Sequence, residues 1–182
     1  MSRTRIRKIA GISVVLLVIA LFAGYVILGG FRPVQISLVQ VDNYYLLGRH
    51  FEGRYKSDTV GNYFSEMRAY LLDGIIKGSP VIIYDEEPGD RRGISKVFIG
   101  IKLTDISSLT DQKTTGDLEN REILASRAIR VSKDAHISVM PNPDRISRKI
   151  IQFSKENGLI IDGPCIEIYH SNDRLVIEQP VN

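Results

Sequence analysis

A run of 22 residues without a charged side chain, Ile9 to Gly30, constrains this 182-residue chain more than any other feature of its sequence. Wound as a helix at about 1.5 Å per residue, it covers about 33 Å, enough to cross a hydrocarbon layer about 30 Å thick. The h-region of a cleaved secretory signal is shorter, at about 7 to 15 residues, and Phe22-Ala23-Gly24-Tyr25 offers no cysteine for lipid attachment. Nor are the apolar side chains confined to one face, as in a helix packed on a soluble core. The run therefore predicts a retained transmembrane helix over 9–30, preceded by a basic segment over 1–8 and followed by a linker over 31–34. Arg3, Arg5, Arg7 and Lys8 precede the span and Arg32 alone follows closely, so the positive-inside bias keeps the N-terminus cytoplasmic. The expectation is a single-pass membrane protein, partnered by the bilayer, with a soluble domain outside the cytoplasm and periplasmic in a double-membrane host.

Charge and cysteine usage narrow the function of that domain. Residues 1–33 hold 5 of the 24 Lys and Arg and none of the 21 Asp and Glu, leaving 19 basic against 21 acidic side chains in the remainder. A nucleic-acid groove needs clustered cations, so no nucleic-acid partner is expected. A single cysteine, Cys165, forms no internal disulfide, and the 3 histidines have no zinc-ligand spacing. The acidic Asp85-Glu86-Glu87 with Asp90 lacks the alternating oxygen ligands of a calcium loop and reads as a solvated hairpin. Neither a metal nor a cofactor is expected.

The domain repeats itself. Ile75-Ile-Lys-Gly-Ser-Pro-Val-Ile-Ile-Tyr84 aligns with Ile160-Ile-Asp-Gly-Pro-Cys-Ile-Glu-Ile-Tyr169, and each copy follows a helix candidate. The first helix is capped by Ser57 or Asp58, carries Val60, Phe64, Met67 and Leu71 at helical spacing, and ends at Gly74. The second is capped by Asn142 before Pro143, carries Ile146, Ile150 and Phe153, and stops at Asn157-Gly158. A further strand follows each copy, Ile94 to Leu103 and Arg174 to Gln179, and a β-rich segment precedes each helix, Gln35 to His50 and Ser126 to Met140. The expected fold is α+β: a β-α-β-β unit used twice over 35–103 and 123–182 with pseudo-twofold symmetry. An antiparallel sheet carries the helices on one face, and a polar surface loop over 104–122 joins the halves.

Alternate strand residues face opposite sides. Val81, Ile83, Ile166 and Ile168, with Val97, Ile99, Ile101 and Leu103, are expected to meet the helices. The other parity holds Ile82, Tyr84 and Phe98 in the first half and Cys165, Glu167 and Tyr169 in the second. These would line a concave groove at the pseudo-twofold, the usual form of a small-molecule site.

In its order of motifs the domain resembles the GyrI-like small-molecule-binding domain, also found as the effector-binding domain of multidrug-sensing transcription regulators. The resemblance spans Gln35 to Val181 and rests on the duplicated unit, Gly78-Ser-Pro-Val-Ile-Ile-Tyr-Asp-Glu-Glu-Pro88, Glu156-Asn-Gly158, Gly163-Pro-Cys-Ile-Glu-Ile-Tyr169 and Ile177-Glu-Gln-Pro-Val181. It implies that Glu167 sits in a central pocket and pairs with cationic apolar ligands. The layout is also similar to an animal membrane-anchored GyrI-like reticulophagy receptor, but without its long C-terminal tail, so that receptor role is not expected here. The span stands where a regulator would carry its DNA-binding segment, which argues against direct transcriptional regulation.

Glu167 is the leading candidate residue. A carboxylate in an aromatic cleft must be paired or must shift its proton affinity. It is either paired with a bound cation, with Tyr84, Tyr169 and Phe98 offering ring faces, paired with an internal cation such as Arg49 or Arg127, or simply solvated. Ile82 completes the candidate ligand-binding set. Cys165 and His170 differ by an odd number of positions and face opposite sides of a regular strand, which disfavours a thiolate nucleophile. The expected function is a membrane-anchored module binding a small, partly apolar ligand, cationic or neutral, or a peptide. The alternatives are a small-molecule hydrolase using Glu167 as general base and a protein-partner scaffold.

Overall fold

The structure, a computed structural model, describes residues 3–53, 58–85, 95–104, 118–170 and 174–182, with side chains from Gly11 onward. Helix α1 spans Arg3–Ile27. Strands β1 (Gln35–Gln40) and β2 (Tyr44–Gly53) precede α2 (Asp58–Leu72), β3 (Gly78–Tyr84) and β4 (Ser95–Leu103). Strands β5 (Glu119–Ile123) and β6 (Arg127–Ser132) precede α3 (Pro143–Glu156), β7 (Cys165–Tyr169) and β8 (Leu175–Val181). All eight strands join one antiparallel sheet in the order β1-β6-β8-β7-β3-β4-β2-β5.

The repeat is realised as β2-α2-β3-β4 and β6-α3-β7-β8, which meet at the central β3–β7 pair. Each half also lends an edge strand to the other: β1 pairs with β6, and β5 pairs with β2. This exchange was not read from the sequence, because Gln35–His50 looked like one β-rich segment and is broken at Val41–Asn43. Likewise β5 begins at Glu119, inside the stretch expected to be a loop; residues 105–117 of that stretch lie outside the described residues. The expected strand to Met140 stops at Ser132, and Ile137–Val139 form a 3-10 helix.

The helices form for the reasons their sequences give. Val60 and Met67 of α2 are buried, Phe64 and Leu71 pack beside them, and Gly74 at φ +69° terminates the segment. Ser57, the other cap candidate, lies outside the described residues, as do Glu86, Glu87 and Asp90 of the acidic hairpin. The Asp144 N–H donates to the Asn142 side chain at 2.8 Å, Pro143 opens α3, and Ile146 and Ile150 enter the core.

Both helices lie on one face, as expected, but half of the parity assignment is reversed. Val97, Ile99, Ile101 and Leu103 pack under α2 together with Ile82. Val81, Ile83, Ile166 and Ile168 instead point away from the helices, beside Phe98, Tyr44 and Leu46. Register explains this: Ile83 lies opposite both Phe98 and Ile166, whereas Ile82 lies opposite Ile99 and Glu167. These central strands are apolar on both faces, so alternation marks two sides without saying which one a helix covers.

The face away from the helices is concave. Tyr44 of β2 reaches Glu178 of β8 across three intervening strands. Close approach of β2 and β4 depends on paired glycines: a Cβ on Gly48 would lie 2.3 Å from the Ile99 carbonyl oxygen, and one on Gly100 2.5 Å from that of Leu47.

Helix α1 stops at Ile27 instead of running to Gly30, because Gly29 at φ +81° turns the chain and the Gly30 N–H closes onto the Tyr25 carbonyl at 2.8 Å. Leu28–Gly30 then dock on the domain, where the Leu28 carbonyl accepts from the His136 N–H at 3.0 Å. The expected 31–34 linker is held as well, since Arg32 pairs with Asp134 and Val34 packs with the α3 core. Among the described residues, no helix is long and apolar enough to cross a membrane, and in α1 the described side chains begin at Gly11. Those side chains are exposed on every side: Val14 to Ile19, six consecutive apolar residues, are each 57–60% exposed.

Candidate functional site

Glu167 occupies the middle of β7, between Ile82 of β3 and Ile177 of β8, on the face that carries the helices. It is 7% exposed. One carboxylate oxygen, Oε2, accepts from the Tyr169 hydroxyl at 2.8 Å and from the Tyr84 hydroxyl at 3.2 Å. Burial raises the proton affinity of Glu167 above the ordinary glutamate range, and the two hydroxyl bonds pull it part of the way back. Phe64 of α2 covers the site, its ring meeting that of Tyr169 edge-on at 4.8 Å.

The internal cations considered as partners do not reach this carboxylate. Arg49 pairs with Glu66 of α2 at 3.0 Å and lies over the Tyr63 ring. Arg127 forms no ion pair with any described residue, and Glu167 likewise has no cationic partner among them. An acid held, among the described residues, by tyrosine hydroxyls without a cation can hold a proton, accept a cation, or activate a polar molecule brought to it.

The candidate set is only partly assembled. Tyr84, Glu167 and Tyr169 are brought together, and Ile82 lies beside Glu167 within the α2 core. Phe98 is not part of this site, because the register turns it to the other face, where it meets His50 at 5.1 Å and the Arg121 guanidinium at 5.4 Å. His50 has the spatial partners its sequence neighbours did not show, Asp85 at 3.6 Å and Glu119 at 3.9 Å. Cys165 joins the α3 side of the core, where burial pushes its thiol up to about 12, with a smaller push from Glu167. Among the described residues, no group of three side chains able to hold a metal is formed.

The groove expected opposite the helices does exist, but the expected residues do not line it. It is an open cavity of about 1170 Å³ bordered by Lys102, Arg130, Ile168, Val176 and Glu178. Glu178 is 1% exposed and fully engaged. It accepts from the Tyr44 hydroxyl at 2.9 Å and from Arg130 at 2.5 Å, with Lys102 at 3.8 Å. Sequence reasoning missed this network, although its signal was the one that marked Glu167: a lone carboxylate inside an apolar strand, here Leu175-Val-Ile-Glu-Gln-Pro-Val181.

No family model and no curated protein matches the chain. Solved structures do. EcmrR in a DNA complex is 13% identical with a TM-score of 0.59, covering 99% of this chain and 68% of that one. The EcmrR C-terminal domain is 14% identical with a TM-score of 0.56, covering 82% of this chain and 98% of that one. A hydrolase from Listeria innocua is 10% identical with a TM-score of 0.51, covering 81% of this chain and 92% of that one. The chain thus shares its fold with the EcmrR C-terminal domain.

Proposed function

We propose that this protein is a membrane-anchored binding module that holds a small, partly apolar, cationic molecule against Glu167. The observation that carries the reading is the carboxylate itself: 7% exposed, bonded to two tyrosine hydroxyls, and without a described cationic partner. A ligand cation would supply the missing charge, and the rings of Tyr84, Tyr169 and Phe64 would supply apolar and cation–π contact. Anchoring is supported by α1, a helix of 25 residues whose described side chains are apolar around its whole circumference. The basic residues before it support, by the positive-inside bias, an orientation with the domain outside the cytoplasm.

Titration of tetraphenylphosphonium into the full chain in detergent tests the site. Wild type is expected to bind it at least about tenfold more tightly than Glu167→Gln, and to prefer it to a neutral arene of similar size. Equal affinity in the two proteins, or no binding in either, refutes the assignment. Anchoring is read separately, by alkaline extraction of membranes and by a C-terminal reporter active only outside the cytoplasm. An extractable chain refutes the span, and a silent reporter refutes the orientation.

A second reading, hydrolysis with Glu167 as general base, is favoured by two observations. Burial raises the proton affinity of this carboxyl and a tyrosine hydroxyl lies 2.8 Å away, and a hydrolase shares the fold. Turnover of an electrophilic substrate by wild type and not by Glu167→Gln would establish it over simple binding.

A further inference from the structure

The root of α1 holds a second concavity, away from Glu167. It is an open cavity of about 440 Å³ between the end of α1, the segment after β6 and the first turns of α3. Four cations line it, Arg32, Lys133, Arg145 and Lys149, and no carboxylate does. Arg145 and Lys149 stand one turn apart on α3, both exposed, and neither side chain has an ion-pair or hydrogen-bond partner among the described residues. Lys133 is 6% exposed, and its ammonium donates to two carbonyls, of Gly30 and Val139, each at 2.9 Å. Its charge therefore meets no anion and keeps one donor in reserve. Arg32 pairs with Asp134, which Arg174 also engages, so one carboxylate serves two guanidinium groups.

Of these cations only Lys133 is buried, and a buried charge without a counter-ion is costly unless a ligand supplies one. With the exposed Arg145 and Lys149 beside it and no carboxylate in the lining, the cavity concentrates positive charge, and its guanidinium and ammonium donors suit the tetrahedral oxygens of a phosphate group. Its position identifies the source. Tyr25 forms one wall, and its ring meets Phe31 at 5.2 Å while Phe31 meets Phe22 at 5.9 Å; a tyrosine at the end of an apolar helix is an anchor of the membrane–water interface. On the reading that α1 is inserted, the cavity lies at headgroup depth. We infer that the cavity at the root of α1 binds the phosphate of an anionic phospholipid headgroup and so fixes the height and tilt of the domain above the bilayer.

Native mass spectrometry of the full chain tests this, comparing retention of phosphatidylglycerol with that of phosphatidylcholine and adding inorganic phosphate in a parallel sample. Wild type is expected to retain phosphatidylglycerol preferentially, and the double variant Arg145→Gln with Lys149→Gln to lose that preference by about tenfold or more. Both residues are exposed, so the variant is expected to fold; undisturbed tetraphenylphosphonium binding or an unchanged unfolding midpoint checks it. Equal retention of the two lipids, or a variant indistinguishable from wild type, overturns the inference. Binding of inorganic phosphate without any preference for phosphatidylglycerol overturns the lipid source. Alkaline extraction reads the anchoring on its own: a membrane-retained chain without headgroup preference fails this inference alone, whereas an extracted chain fails the anchoring and the inference with it.

Discussion

The buried state of Glu167 makes stability depend on pH with a sign opposite to that of an ordinary ion-paired carboxylate. Burial raises its proton affinity in the folded chain above the unfolded value. The stabilisation associated with the neutral acid is then complete below the ordinary glutamate value, about 4.3. It is lost as pH rises through the raised folded value. One proton is involved, so the slope approaches but does not exceed about 1.4 kcal/mol per pH unit. Glu167→Gln removes the titration while keeping an oxygen that accepts from Tyr84 and Tyr169. The assay is urea unfolding of the full chain in detergent, wild type and variant, in steps from about pH 4 to about pH 8. Taking the difference between the two proteins at each pH cancels every other titrating group. Relative to Glu167→Gln, wild type is expected to lose stability as pH rises and then level off. The tyrosine bonds oppose this effect, so Tyr169→Phe is expected to push the window to higher pH, each lost bond to the ionised acid being worth about 1.5–3 kcal/mol. A difference that stays flat across the whole range would refute the claim that this acid is desolvated without a cation.

Three further outcomes follow from the geometry. Tyr44→Phe removes a hydroxyl donor 2.9 Å from a carboxylate that is 1% exposed, and is expected to cost about 1.5–3 kcal/mol in urea unfolding with an unchanged slope. Gly100→Ala places a Cβ 2.5 Å from the Leu47 carbonyl oxygen, a clash with backbone that is expected to cost about 1–3 kcal/mol or abolish soluble expression, whereas Gly61→Ala, with open space around the site, is expected to be neutral or stabilising. Cys165, its thiol pushed up to about 12 by burial, is expected to resist iodoacetamide at neutral pH and to react at once when urea unfolds the chain; rapid labelling of the folded protein would show the thiol to be solvated.

The elements legible in the sequence were those with local punctuation. Asn142-Pro143 and Gly158 bound α3 because caps and turns are decided within a few residues, and the repeat was visible because both Gly-containing turns precede similar strands. What could not be read is set by partners distant in sequence. The exchange of β1 and β5 is a choice between strands whose paired residues lie 71 to 97 positions apart, which only the assembled sheet makes. The orientation of β3 and β7 failed because Val81, Ile82 and Ile83 are all apolar, so a one-residue error leaves the pattern unchanged while moving Phe98 away from Glu167. Glu167, Tyr84 and Tyr169 converge because each lies on a strand next to the pseudo-twofold, and a duplicated sequence does reveal such positions.

Two carboxylates, Glu167 and Glu178, sit within one residue of being direct cross-strand neighbours, yet face opposite sides of the same sheet. Their surroundings divide the two roles that a lone acid in an apolar strand can have. Glu178 is closed from within: Tyr44, Arg130 and Lys102 come from three other strands, and the result ties β8 to the far half of the curved sheet. An acid so engaged has no capacity left for an external cation, and its replacement by Gln removes the ion pairs that Arg130 and Lys102 make with a carboxylate 1% exposed. Glu167 has hydroxyls where Glu178 has cations, and its replacement by Gln strands nothing charged. Glu178→Gln should therefore lower stability and leave tetraphenylphosphonium affinity per folded molecule unchanged, while Glu167→Gln should do the reverse. If both variants lose stability and neither loses affinity, the two carboxylates are equivalent structural pairs, and the distinction drawn from their partners fails.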